Sequence, residues 1–115
     1  MAAVLVVVVA LIHVYILVLE MFLWRGNRAR AAFGTTAEFA EATATMAANQ
    51  GLYNGFLAAG LLWSLVAGTA AFQFKVFFLL CVIVAGLYGA AATRRALYGQ
   101  AIPAAVALLT VIVAH

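Results

Sequence analysis

Glu38, Thr45, Asn49 and Tyr53 succeed one another at intervals of seven, four and four in a chain otherwise rich in apolar residues. On an α-helix those intervals stack the four side chains on one face. Glu41 lies to one side of them, and Thr43, Gln50 and Asn54 to the other. Carboxylates, amides and a phenol in a row can orient a polar small molecule by hydrogen bonds. Hydrocarbon supplies no partners, so each unsatisfied polar group there costs on the order of a few kcal/mol. The stripe must therefore face protein, water or a ligand. A wet or ligand-filled cavity open to the cytoplasm is one reading, and a fully satisfied internal hydrogen-bond network is the other.

His13 and Glu20 stand seven residues apart, two turns along one helix face, inside the apolar run 2–24. Ionisable groups at such depth mark a candidate proton-handling or metal-binding pair facing the second helix. The plainer alternatives are that Glu20 pairs with Arg25 and that His13 hydrogen-bonds a carbonyl or hydroxyl. No HExxH pattern or His cluster accompanies them, so no metal site is expected. Arg25, Arg28, Arg30, Arg94, Arg95 and Tyr98 gather at segment ends. Guanidinium groups beside amides and phenols suit carboxylate or phosphate recognition, although setting topology and meeting lipid headgroups would account for the arginines singly. Gly-rich phosphate loops, nucleophile elbows and Ser/His/Asp orders are missing, which leaves hydrolase and kinase chemistry unsupported.

These residues need a membrane scaffold to hold them. Of 115 residues, 70% are hydrophobic and 8% charged, against about a quarter charged in a soluble domain. The formal charge of +3 is too sparse and scattered for a nucleic-acid face. Cys81, the single cysteine, lies in the apolar run 77–84 and reads as a small buried hydrophobe. With about 20 apolar residues needed per crossing, the pattern predicts one all-α domain, 1–115, of four transmembrane helices at about 2–24, 36–69, 74–95 and 101–115. The first is read as a retained helix, since its apolar run is too long for a leader core. Thr35 or Thr36 suits the cap of the second helix, with Glu38 in its first turn, and Pro103 suits the first turn of the fourth. Five arginines in the first and third connections, against Lys75 in the second, place both termini outside the cytoplasm. Ala47, Gly51, Gly55 and Ala59 form a small-residue stripe that suits close helix packing, and Ala85, Gly86, Gly89 and Ala90 do the same for the third helix.

The strings Leu19-Glu20-Met21-Phe22-Leu23-Trp24, Glu38-Phe39-Ala40-Glu41-Ala42-Thr43 and Ala48-Asn49-Gln50-Gly51-Leu52-Tyr53-Asn54-Gly55 resemble the small four-span bacterial membrane family known as domain of unknown function 1304. The likeness covers nearly the whole chain and implies no activity. More remotely, an arginine-bearing loop after the first span, then Glu41 and Asn49 on the second helix, is similar to the MAPEG superfamily of eicosanoid and glutathione metabolism. That resemblance implies four-helix protomers in trimers, with sites between protomers near the cytosolic side. It likens Arg25 to a catalytic arginine, Asn49 and Tyr53 to ligand contacts, and Arg95 and Tyr98 to an Arg-x-x-Tyr element. The chain departs from it at Ala42, where an arginine is usual, and at Leu52, where an acid is common. The resemblance therefore bears on fold and trimer more than on glutathione.

The reading that results is an inner-membrane homo-oligomer, a trimer by resemblance, in contact with lipid and a small-molecule ligand. Its site comprises Glu41, Asn49, Tyr53, Asn54 and Glu20, with His13 deeper and Arg25, Arg95 and Tyr98 toward the mouth. The ligand is amphipathic or thiol-bearing, with glutathione the candidate cofactor. The alternative is a structural or accessory membrane subunit without catalysis.

Overall fold

A computed structural model describes all 115 residues, and every regular element in it is helical. Helix α1 covers Ala2–Met21, an unbroken run without glycine or proline. In a medium without water only internal backbone pairing satisfies such a run. It stops short of Trp24. Leu23 N–H reaches Val18 O at 3.1 Å and Gly26 N–H reaches Leu23 O at 3.0 Å, which turns the chain tightly. The arginine-bearing connection between the first two expected spans contains a helix of its own, α2, Asn27–Phe33. Its Ala and Arg content favours helix, and Gly34 ends it in the left-handed conformation at φ 69°.

Thr36 caps α3, Ala37–Ser64, its hydroxyl accepting from Phe39 N–H at 3.1 Å, and Glu38 occupies the first turn as expected. The helix ends before residue 69 because the chain enters a tight turn leading to Gly68, at φ 63°. A single 3₁₀ turn, Gly68–Ala70, leads into α4, Ala71–Ala90. α4 stops ahead of residue 95 because extended Thr93 caps the next helix, accepting from Arg95 N–H at 3.2 Å. That last helix, α5, is continuous over Arg94–Ala114 rather than beginning near residue 101. Pro103 therefore lies inside it. A π-helical stretch, Leu97–Ala101, ends two residues before that proline and makes room for its ring.

Three helical segments are long and apolar enough to cross a membrane: Ala2–Met21, Gly68–Ala90 and Arg94–Ala114. Four were expected. At 28 residues α3 has the length, but its polar residues from Glu38 to Asn54 keep it out of this group.

The chain divides into two compact units, one of Met1–Ile12 with Leu57–His115 and one of His13–Phe56. The first has an apolar core of Val6, Val9, Ala10, Leu61, Leu79, Val82, Ala104, Ala107 and Val111. There α4 and α5 meet so closely that a methyl group on Gly86 would stand 2.6 Å from Ala101 N. In the second unit Ala40, Ala47 and Gly51 of α3 are buried. The small-residue stripe does not continue to Ala59, which is exposed, because each step of four residues overshoots a turn by roughly 40°. Ala58 is buried instead.

Candidate functional site

Gly51 determines how the polar groups of the second unit meet. A Cβ there would lie 2.6 Å from Met21 Cγ, 3.1 Å from Glu20 Cβ and 3.2 Å from Leu17 O. Only a bare backbone lets α3 approach the last turn of α1 this closely. That approach puts Asn54 beside Glu20. Asn54 Nδ2 donates to Glu20 Oε1 at 2.7 Å and to its own helix at Gln50 O, 3.1 Å. Both residues are half-buried. The alternative in which Glu20 pairs with Arg25 gives way to this amide contact.

Arg25 takes a different carboxylate. Its Nε donates to Glu41 Oε2 at 2.6 Å and its Nη2 to Glu41 Oε1 at 3.4 Å. Both side chains are well over half exposed, at 62% and 68%, so the pair is solvent-screened in the single chain. Beside it, Trp24 Nε1 donates to Thr43 Oγ1 at 3.1 Å, and that hydroxyl donates on to Phe39 O at 2.7 Å. The Trp24 ring also packs on Phe33 of α2 at 5.0 Å. Trp24 and Phe33 were not foreseen as site neighbours. The available signal was an indole at the end of an apolar run, where its ring and N–H want different surroundings.

Along the rest of α3 the stripe lies open. Glu38, Glu41, Thr45, Asn49, Gln50 and Tyr53 are all exposed. Tyr53 touches the Phe56 ring edge-on at 5.6 Å. The side chains of Thr45 and Asn49 make no hydrogen bond within the chain, which leaves an amide donor and acceptor facing outward. His13 is fully buried, on the same face of α1 as Glu20. Arg95 and Tyr98, in the other unit, are exposed at the start of α5. No three His, Cys, Asp or Glu side chains come together as a metal would need.

A second polar group forms where α2 meets α1. Arg28 Nη1 donates to the Tyr15 hydroxyl at 3.3 Å, and that bond, with attraction to Tyr15, holds the guanidinium above its ordinary pKa. Arg30 Nη2 donates to Asn27 Oδ1 at 2.9 Å.

The geometry as a whole offers a carboxylate held by an amide, a guanidinium–carboxylate pair, and an outward amide and phenol on successive turns. Such an arrangement can bind and orient a polar ligand. It contains no nucleophile with an adjacent base. A family model described as protein of unknown function (DUF1304) matches residues 7–112, a range that includes every one of these groups. No curated protein and no solved structure matches the chain.

Proposed function

We propose, for a chain that belongs to the DUF1304 family of proteins of unknown function, an integral membrane protein whose α3 flank binds an amphipathic or thiol-bearing small molecule. The observation that carries this reading is the outward Asn49 amide and Tyr53 hydroxyl, without hydrogen bonds in the chain, on the one long helix too polar to face lipid. A polar flank in that position requires a cover. A second copy of the chain supplies one, and a ligand held between copies satisfies the amide and the phenol. This matches the inter-protomer sites that the MAPEG resemblance implies, with a trimer as the assembly.

Topology supports α3 as a fourth crossing. Ala2, Gly68 and His115 line one cavity, so both ends of the chain and the start of the α4 segment share a side. A chain that leaves with α1 and comes back to Gly68 must cross again, and α3 is the only long helix between. The arginines of the first and third connections then face the cytoplasm of a bacterial inner membrane, with both termini outside. In the bound state Arg25, which spends two N–H groups on Glu41, has others left for a thiolate or carboxylate. Asn49 and Tyr53 orient the ligand, with Asn54 and Glu20 beneath them. Arg95 and Tyr98, exposed at the start of α5, are the further candidate contacts for an anionic group.

Calorimetry on the detergent-purified protein tests this with glutathione and an acyl thiol. Saturable binding is expected, weakened roughly tenfold or more in Asn49→Ala through loss of one or two hydrogen bonds to the ligand. No heat with any thiol, and an Asn49→Ala profile identical to wild type, would contradict it.

A structural subunit is the second reading. The Glu20–Asn54 and Trp24–Thr43 bonds favour it, since they already absorb part of the polar surface within the chain. On that reading Asn49→Ala lowers the assembly's melting temperature and leaves no ligand effect to measure.

A further inference from the structure

The unit formed by Met1–Ile12 and Leu57–His115 contains no carboxylate side chain, because the chain's three acids, Glu20, Glu38 and Glu41, all belong to the other unit. It does contain Lys75. This lysine is half-buried on the second turn of α4 and has no ion-pair partner. It lines a cavity of about 310 Å³ together with the exposed Thr69 and His115. The His115 ring stacks on Phe72 at 3.8 Å and 20°, which fixes the imidazole plane at the cavity wall. The remaining wall is apolar, from Ala2, Val111 and neighbouring small residues. An ammonium, an imidazole and a hydroxyl around one space, with no acidic side chain among them, select an anion. Its size suits a headgroup fragment rather than a whole lipid.

Position narrows the source. Arg94 and Arg95 lie just beyond the far end of α4, roughly 25 Å along the helix from Lys75, so with α4 crossing the membrane as in the proposed function this cavity opens toward the opposite leaflet from the arginines. We propose that the cavity holds the phosphate of an anionic lipid from that leaflet, with Lys75 as its principal contact, Thr69 and His115 as hydrogen-bond donors, and the apolar wall against the glycerol.

Native mass spectrometry of the full chain, released from micelles with equal amounts of phosphatidylglycerol and phosphatidylcholine, reads the retained lipid. Wild type is expected to favour phosphatidylglycerol roughly tenfold, as one charge-assisted contact would give. Lys75→Gln abolishes that preference and Lys75→Arg keeps it. Thr69→Val and His115→Ala, both at exposed positions, each reduce it, which keeps the test decisive if Lys75→Gln fails to fold. Inorganic phosphate at equal concentration leaves the lipid bound; complete displacement would overturn the lipid assignment in favour of free phosphate. A neutral extension after His115 leaves the preference in place. If the preference appears only with that extension, the chain-terminal carboxylate is the partner of Lys75 and the proposal fails. Equal retention of the two lipids by wild type overturns it outright.

Discussion

Glu20 and Asn54 carry the clearest energetic consequence of any two residues in the chain. A half-buried carboxyl keeps one amide donor at 2.7 Å, so removing the donor exposes the full cost of an unsatisfied group. Asn54→Ala is expected to lower stability by about 1–3 kcal/mol, whereas Glu20→Gln, which keeps an acceptor opposite Asn54, costs less than about 1 kcal/mol. Unfolding in mixed micelles orders the two, and the reverse order would contradict the pairing. Arg25 behaves differently. Its pair with Glu41 is exposed, so Arg25→Ala changes stability by less than about 1 kcal/mol, and salt diminishes even that. On the proposed function its effect appears in ligand affinity instead. The Glu20–Asn54 contact is only half legible in the sequence. Both residues stood out as polar groups in apolar surroundings, but the tempting partner for Glu20 was the nearby Arg25. Thirty-four residues separate Glu20 from Asn54, and only the helix contact at Gly51 joins them.

Helix contacts here depend on glycine, and the positions are not equivalent. At Gly86 an added methyl meets the backbone N of Ala101 at 2.6 Å and its Cα at 3.0 Å, atoms that no side-chain rotation can move. Gly86→Ala is expected to destabilise by about 1–3 kcal/mol through forced separation of α4 and α5. Gly51→Ala falls in the same range, since Leu17 O stands at 3.2 Å, and it also parts Asn54 from Glu20. Gly99 has nothing within 4 Å, so Gly99→Ala is neutral or stabilising by up to about 1 kcal/mol. Melting curves for the three variants separate these cases; equal shifts would deny the close approach. At this scale the sequence was readable where one local rule governs. Thr36 before Glu38 marked the start of α3, and the apolar run marked α1. It was unreadable where two rules compete. The stretch 25–37 looked like a polar connection, yet helix propensity prevails within it, and Pro103 looked like a helix start, yet a π-helical turn carries the helix through it.

For the whole molecule the issue is what surrounds α3. Three segments satisfy a membrane by composition, while the fourth long helix presents Glu38, Glu41, Thr45, Asn49 and Tyr53 outward. The stripe was visible in the residue spacing. What lies against it was not, because spacing along one helix records only that helix's own side. The most direct measurement is the collision environment of a nitroxide at Asn49→Cys, in a Cys81→Ala background reconstituted in bilayers, with Trp63→Cys, an exposed apolar position, as the lipid-facing reference. An enclosed polar site predicts that a water-soluble nickel complex relaxes the Asn49 label, attached through a thioether, more than oxygen does, and that a thiol ligand at a concentration raised to offset the lost Asn49 contact suppresses the nickel effect. Oxygen dominating at Asn49 as it does at Trp63, unchanged by any ligand, would place that flank against acyl chains and contradict the site.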